Sequence, residues 1–262
     1  MSTPSPREVA LVTGASSGIG ADLARELAQR GFDLVLTARR VDRLEALRGE
    51  LTTAHGVQVD VVPADLATPE GAASLIQRTE ALGRPISFLA NNAGFGVHGD
   101  LLDNDAERVR QMIQLNITAL TELTWHFGRA MRGRGRGRIL QVASVAAFQP
   151  SPYYAAYAAT KAYVLFLSQA ADSELRQSGV TITTLCPGLT ETEFHEVAAH
   201  PKTGLVALTS MTARAVARSG VRGALAGRAV VTPGLMNKLT ALLVALLPRS
   251  LVTYMAGLLM KK

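Results

Sequence analysis

Several residue types are scarce in this 262-residue chain, and each scarcity excludes a class of protein. A single cysteine, Cys186, excludes a disulfide framework and a zinc site built on cysteines. The five histidines show no metal-ligand spacing, so we expect no metal site. No apolar run precedes the first predicted strand, which argues against a secretory signal and leads us to expect a cytoplasmic protein.

Acidic residues are missing from the last quarter of the chain. Residues 197–262 hold nine lysines or arginines and no acid, whereas the net charge of the whole chain is +6. This asymmetry is typical of contact with an anionic surface and also of a solvated basic face. A separate arginine-rich run at 129–138 lacks interleaved aromatic residues and lies between a predicted helix and a predicted strand. We interpret it as a connecting loop and expect no nucleic-acid binding.

Short apolar runs alternate with longer helical patterns along most of the chain. Continuous apolar strands that alternate with helices are typical of a parallel sheet covered on both faces. The sequence therefore predicts a single α/β domain with a doubly wound, Rossmann-type sheet over about residues 8–232, followed by a helical extension over about 235–262. The predicted strands are 9–14, 33–38, 57–62, 86–90, 138–143, 180–186 and 228–232.

The first predicted strand runs into the glycine-rich segment TGASSGIG (13–20), which opens the first helix. Glycines let the backbone approach a pyrophosphate closely, and a helix N-terminus supplies unpaired N–H donors and a partial positive charge. The spacing is G-x-x-x-G-x-G, and its position between a strand and a helix predicts a dinucleotide site.

The second predicted strand is followed by Arg39 and Arg40 instead of an acid. Many dinucleotide sites carry an acid there that binds the ribose 2′-hydroxyl. A carboxylate repels a 2′-phosphate, whereas a guanidinium binds it, so the sequence predicts NADP(H) as the cofactor. The alternative is that the two arginines only begin a solvated helix.

Tyr157 and Lys161 stand four residues apart in a predicted helix, so they share one helix face. An ammonium near a phenol favours the phenolate, and such a pair can exchange a proton with a carbonyl oxygen or an alcohol. Ser144 follows the fifth predicted strand, at the sheet edge where ligands bind in such folds. Asn116 lies in an apolar helical stretch, where an unpartnered amide would be costly. The pattern predicts a proton-exchanging pair in Tyr157 and Lys161, a hydroxyl at Ser144 that could hold the substrate oxygen, and an internal role for Asn116.

The chain resembles the short-chain dehydrogenase/reductase family, NADP-dependent type with a Tyr-x-x-x-Lys active site. The matching segments occur in family order over nearly the whole predicted domain. They are TGASSGIG (13–20), Asp65-Leu66, NNAG (91–94), Asn116, Ser144, YAATK (157–161) and PGLTET (187–192).

The resemblance implies a role for each matching residue. Tyr157 would be the general acid/base, Lys161 would lower its pKa and bind the nicotinamide ribose, Ser144 would polarise the carbonyl, and Asn116 would anchor a water. Besides Tyr157 and Lys161, the cofactor would contact the glycine-rich segment, residues around its adenosine end and residues around its nicotinamide end. These residues are Gly14, Ser16, Ser17, Gly18, Ile19, Gly20, Arg39, Arg40, Asp65, Leu66, Asn92, Ala93, Gly94, Pro187, Gly188, Thr190 and Thr192.

The substrate is expected between the loop after Ser144 and the segment after Pro187. The residues predicted to line it are Phe95, Phe148, Gln149, Tyr154 and Phe194. Because these side chains are mostly apolar, we expect reduction of a hydrophobic ketone or aldehyde, as in ketoacyl and hydroxysteroid reductases. The alternative is a non-catalytic NADP-binding sensor, although such modules usually lack the tyrosine or the lysine.

The extension after the seventh predicted strand is apolar and basic. Its apolar run, 239–247, is too short to span a bilayer, and a proline interrupts the pattern at 248. Two short amphipathic helices on an anionic membrane would show this pattern, and so would a segment packed against the core or a neighbouring subunit. We also expect a homodimer or homotetramer.

Overall fold

The computed structural model describes residues 7–191 and 210–260, and a seven-stranded parallel sheet forms its centre. Its strands are β1 (Val9–Thr13), β2 (Asp33–Thr37), β3 (Val59–Val61), β4 (Ile86–Asn91), β5 (Gly137–Val142), β6 (Val180–Leu185) and β9 (Val230–Val231). Across the sheet their order is β3-β2-β1-β4-β5-β6-β9, and every neighbouring pair is parallel. This sheet confirms the predicted doubly wound fold. A separate two-stranded ladder joins β7 (Thr190–Glu191) to β8 (Met211–Thr212).

Helices cover both faces of the sheet and continue beyond its last strand. They are α1 (Gly18–Ala28), α2 (Val41–His55), α3 (Gly71–Glu80), α4 (Ala106–Ile113), α5 (Leu120–Gly133), α6 (Ala155–Leu175), α7 (Ala213–Leu225), α8 (Leu235–Leu246) and α9 (Arg249–Met260). A single turn of 3₁₀-helix, Val145–Phe148, follows β5. Within the described ranges no helix is long and apolar enough to cross a membrane.

Alternate residues of the central strands supply two apolar layers. On β1, Ala10 and Val12 belong to the layer that includes α1 and α7, whereas Val9 and Leu11 belong to the layer that includes α5. All five residues of β1 are buried, as expected for a parallel strand covered on both faces. Burial on both faces explains why the strands are continuous apolar runs in the sequence.

The strand order reverses between β1 and β4. After β1 the chain builds outward through β2 to β3, and then returns to place β4 on the other side of β1. The two halves diverge there, which leaves a crevice beyond the carboxyl ends of β1 and β4. The glycine-rich segment follows β1, and Asn92 follows β4. The sheet therefore brings both predicted cofactor segments to this crevice.

The long helix predicted over 105–131 is interrupted. The structure has α4, then a π-helical segment at Gln114–Ala119, then α5. π-Helical turns widen a helix locally and are frequent at functional sites. Asn116 lies within this segment. The π-helical turn locally changes which face of the helix each residue presents, and α5 continues after it.

Candidate active site

The glycine-rich segment adopts a conformation that side chains would prevent. Gly14 has a φ of 66°, and a Cβ built on it would lie 2.8 Å from Nδ2 of Asn92. A Cβ on Gly20 would overlap the carbonyl oxygen of Gly14. The backbone is therefore packed tightly against Asn92, and the N-terminus of α1 points into the crevice beyond β1.

Thr13, the last residue of β1, ties the glycine-rich segment to the segment after β4. Its Oγ1 accepts hydrogen bonds from the backbone N–H groups of Asn92 and Ala93, both at 2.9 Å. Nδ2 of Asn92 donates in return to the carbonyl oxygen of Thr13, at 2.9 Å. No role for Thr13 is predicted from the sequence. Its position at a strand end, immediately before the first glycine, is the sequence feature that could have indicated this role.

Arg39 and Arg40, which follow β2, lie beside the glycine-rich segment, and each has different partners. Arg40 donates through Nη2 to Oγ of Ser17 at 2.7 Å and to Oγ of Ser16 at 3.2 Å. Arg39 is 69% exposed, and its Nη1 lies 3.9 Å from Oδ2 of Asp65. Arg40 thus points at the loop serines, and Arg39 reaches towards the predicted adenine side.

Asp65 and Leu66 begin the turn before α3. Oδ1 of Asp65 accepts from the backbone N–H of Ala67 at 3.0 Å, and Leu66 is buried. Asp65 therefore has a local turn-forming role in addition to its proximity to Arg39. Ile19, on the first turn of α1, is half-buried against the core layer.

Ser144, Tyr157 and Lys161 meet beyond the end of β5. Ser144 precedes the 3₁₀ turn, and its Oγ accepts from the backbone N–H of Ala146 at 3.1 Å. Tyr157 and Lys161 are one turn apart on α6 and both are buried. Tyr157 shares a side-chain hydrogen bond with Ser144. Nζ of Lys161 donates to the carbonyl oxygen of Val142 at 2.9 Å and lies 5.8 Å from the centre of the Tyr157 ring.

Burial has the largest effect on the pKa values of Tyr157, Lys161 and the nearby Cys186. It raises the pKa of Tyr157 above its ordinary value, and the hydrogen bond with Ser144 opposes this rise. The lowering of this pKa by Lys161, which the resemblance implies, stays a prediction. Burial lowers the pKa of Lys161 to about 8 and raises that of Cys186 to about 12. At neutral pH the phenol and the thiol are protonated, and Lys161 is mostly an ammonium.

Asn116 is buried in the π-helical segment, and both ends of its amide have partners. Its Nδ2 donates to the carbonyl oxygen of Phe95 at 3.0 Å and to Oγ1 of Thr160 at 3.1 Å. Its Oδ1 accepts from the backbone N–H of Phe95 at 3.2 Å. A Cβ on Gly94 would lie 2.9 Å from this Oδ1 and 3.4 Å from Nζ of Lys161. Asn116 thus braces the segment after β4 against α6, beside Lys161.

The segment after β6 closes the opposite side of the crevice. The backbone N–H of Val145 donates to the carbonyl oxygen of Pro187 at 2.9 Å, which joins the segments after β5 and β6. Oγ1 of Thr190 donates to the carbonyl oxygen of Gly188 at 3.0 Å. A Cβ on Gly188 would collide with the side chain of Asn237 on α8. Thr192 and Phe194 lie outside the described residues.

The predicted substrate residues separate into two groups. Tyr154 lies edge-on to Tyr157, with 5.8 Å between ring centres, and Phe95 packs in the same cluster. Phe148 packs against the buried cluster around Val164 and Cys186, and its contact with the substrate stays a prediction. Gln149 is half-buried at the end of the 3₁₀ turn.

Three residues outside the predicted site lie around the cluster that contains Tyr154 and Tyr157. The Arg108 guanidinium lies 4.1 Å above the Phe95 ring, and the His98 ring lies 4.8 Å from that of Tyr154. Met260, at the end of α9, packs against the cluster that contains Tyr154 and Tyr157. The site is therefore mostly apolar, with two basic side chains at its edge.

Comparisons with known proteins agree with this geometry. A family model described as short chain dehydrogenase matches residues 8–203. A putative ketoacyl reductase of Streptomyces coelicolor is 36% identical over 188 residues, which cover 71% of this chain and 71% of that protein.

Two solved structures resemble the whole described fold. A short-chain dehydrogenase from Sphingobium yanoikuyae in complex with NADPH is 37% identical, with a TM-score of 0.80 and coverage of 91% of this chain and 93% of that chain. A short-chain dehydrogenase/reductase from Burkholderia phymatum in complex with NAD is 25% identical, with a TM-score of 0.79 and coverage of 90% and 92%. Since the two hold different dinucleotides, similarity alone does not decide between NADP and NAD.

Proposed function

This chain belongs to the short-chain dehydrogenase family, and on that premise we propose that it is an NADPH-dependent reductase of hydrophobic ketones or aldehydes. The observation that carries the proposal is the group formed by Ser144, Tyr157 and Lys161. Two hydroxyls and an ammonium are gathered at the carboxyl edge of the sheet, in the same crevice region as the glycine-rich segment.

The residues present fit a phosphorylated nicotinamide dinucleotide. The absence of side chains at Gly14 and Gly20 permits a tight turn at the N-terminus of α1, where a pyrophosphate would bind. Arg40 stands at the loop serines, and the exposed guanidinium of Arg39 can reach a 2′-phosphate that a carboxylate would repel. When bound, the nicotinamide supplies the hydride for the carbonyl carbon.

Tyr157 supplies the proton that balances the hydride. Its phenol donates to the carbonyl oxygen, which completes the alcohol as the carbonyl double bond is reduced. The raised pKa keeps this phenol protonated at neutral pH, which is the form that can donate a proton to the carbonyl oxygen. Ser144 holds the same oxygen through its hydroxyl, and the Lys161 ammonium stabilises the negative charge that remains on Tyr157 after proton transfer. Asn116 as the anchor of a water stays a prediction.

The substrate class follows from the cluster around Tyr157. Phe95, Tyr154 and Met260 present apolar surface beside the phenol, which suits a hydrophobic carbonyl compound. Arg108 and His98 at the edge of this cluster can meet an acidic or polar group on the far end of such a substrate. The similarity to a putative ketoacyl reductase agrees with this class.

Oxidation of NADPH and of NADH, followed at 340 nm against a panel of ketones, aldehydes and quinones, tests the proposal. We expect turnover of apolar carbonyls, and faster turnover with NADPH. Faster turnover with NADH would contradict the role of the two arginines. Tight NADPH binding without turnover of any carbonyl would instead support the non-catalytic sensor.

We further propose that the chain forms a homodimer or homotetramer through α5 and α6. Trp125, Tyr163 and Phe166 are exposed on these helices, by 65%, 38% and 66%. The two helices adjoin there, because Oγ1 of Thr121 and the hydroxyl of Tyr163 are 3.1 Å apart. Exposed aromatic residues in one patch are typical of subunit interfaces. Light scattering should give a mass of two or four times 27.7 kDa, and Phe166→Glu should lower it.

A further inference from the structure

The last two helices carry most of the exposed apolar surface of the described chain. Of the eighteen large apolar side chains that are exposed there, eleven lie on α8 and α9 or on the connection between them. We call the ten on the helices the C-terminal apolar surface. They are Leu235, Met236, Leu239, Leu242, Leu243, Leu246, Leu251, Tyr254, Met255 and Leu258.

Helix α8 turns its apolar stripe away from the core. The six exposed large apolar residues on it recur at the spacing of one helical face, and no residue of α8 is buried. An amphipathic helix of a globular domain normally turns that face inward. Within the described part of the chain, the inverted orientation leaves each residue of the stripe 44–74% exposed.

Helix α9 shows the same arrangement with one anchored face. Val252 and Ala256, four residues apart, are buried against the domain. The exposed residues Leu251, Tyr254, Met255 and Leu258 form a stripe at helical spacing on the outer side. The domain therefore presents two adjacent apolar helix faces to its surroundings.

Charge identifies what covers this surface. Lys238 and Arg249 are the charged residues within 235–260, and Lys261 and Lys262 follow in the sequence. No acid occurs from 197 to the last residue. Apolar residues flanked by lysines and arginines match the boundary of an anionic bilayer, where leucines enter the acyl region and basic groups meet lipid phosphates. A second copy would bring the same positive charges against each other across a twofold interface.

We propose that the C-terminal apolar surface docks on the surface of an anionic lipid bilayer, with α8 and α9 lying in the interface. Each helix has 12 residues, about 18 Å at the usual rise, which is too short to cross a hydrocarbon core of about 30 Å. The protein would thus lie on the membrane without spanning it.

The docking surface borders the candidate active site. Met260 of α9 packs against the cluster of Tyr154 and Tyr157, and its carbonyl oxygen lies 3.3 Å from Nε2 of His98. Asn237 of α8 lies directly against Gly188, in the segment after β6. If the proposed reductase activity holds, a hydrophobic carbonyl compound can reach Tyr157 from the lipid phase beside it. Docking itself does not depend on that activity.

Vesicle flotation tests the proposal on the full-length protein without NADPH or substrate. We expect the protein to float with vesicles of phosphatidylcholine containing about 30 mol% phosphatidylglycerol, and to float far less with phosphatidylcholine alone. The double variant Leu239→Glu/Leu243→Glu changes two exposed side chains on α8, and we expect it to lower the bound fraction at least about tenfold. Val41→Glu, an exposed apolar residue at the start of α2, is the control and should bind like the wild type.

Two results would overturn the proposal. They are failure of the wild type to bind anionic vesicles, and equal binding by the wild type and the double variant. If the wild type fails to bind and the double variant has a changed oligomeric state, the surface is assigned to a second copy. Because flotation needs neither NADPH nor a carbonyl compound, its outcome is separate from that of the turnover assay.

Discussion

Nζ of Lys161 donates a hydrogen bond of 2.9 Å to the carbonyl oxygen of Val142, the last residue of β5. Ser144 follows two residues later, so one strand end positions both side chains that flank Tyr157. The ammonium is thereby fixed in place although it is buried. The same burial that lowers its pKa makes its charge strongly felt nearby, because a poorly screened charge interacts more strongly.

The rate of reduction should fall in alkaline solution. Burial lowers the pKa of Lys161 to about 8, so the ammonium is present below that pH and is lost above it. Tyr157 stays protonated over the same range, because burial raises its pKa. We therefore expect kcat/KM for carbonyl reduction to decline above about pH 8. A profile that stays flat to pH 10, with the fold intact by circular dichroism, would contradict this role of Lys161.

Arg39→Asp should reverse the cofactor preference. The new carboxylate repels a 2′-phosphate and can accept from a ribose 2′-hydroxyl. Loss of a charge-assisted contact should raise KM for NADPH about 10- to 100-fold, while KM for NADH falls or stays constant. Initial-rate kinetics with both cofactors measure the change. Arg48→Asp on α2, whose guanidinium pairs with Glu45, makes the same charge change as a control. An unchanged NADPH preference in Arg39→Asp would assign the 2′-phosphate to other residues.

Gly20→Ala should destabilise the fold, because its Cβ would overlap the carbonyl oxygen of Gly14. Overpacking of this kind costs about 1–3 kcal/mol in the free energy of unfolding. Gly49→Ala on α2 is the matched control, since a Cβ there meets nothing within 4 Å. We expect that substitution to stabilise by about 0.5–1 kcal/mol, as in an exposed helix. Urea unfolding measures the stability of both variants. Equal stability of Gly20→Ala and the wild type would mean that the glycine-rich segment has room for a side chain.

The sequence predicted the sheet well because its strands are buried on both faces. The run 9–12 is apolar throughout, and 180–186 combines apolar residues with β-branched threonines; parallel strands of this kind are short and easily bounded. The carboxyl ends of parallel strands share one edge, so the positions of Ser144 and Asn92 after their strands placed both at the site.

Other features depend on contacts that a local pattern does not contain. The π-helical segment around Asn116 needs a hydrogen-bond shift that leaves the 3.6-residue apolar period almost unchanged. Arg40 reaches Ser17 across 23 residues, and Met260 reaches the cluster of Tyr157 across about a hundred. These relationships arise from tertiary packing.

NADPH oxidation by Tyr157→Phe tests the central claim most directly. The substitution removes one hydroxyl from a buried ring and leaves the glycine-rich segment, Arg39 and Arg40 untouched. We expect NADPH to bind with unchanged affinity by fluorescence titration, while kcat for carbonyl reduction falls about 10²- to 10⁴-fold, the usual contribution of a general acid. Retention of a substantial rate with NADPH still bound would show that another group donates the proton.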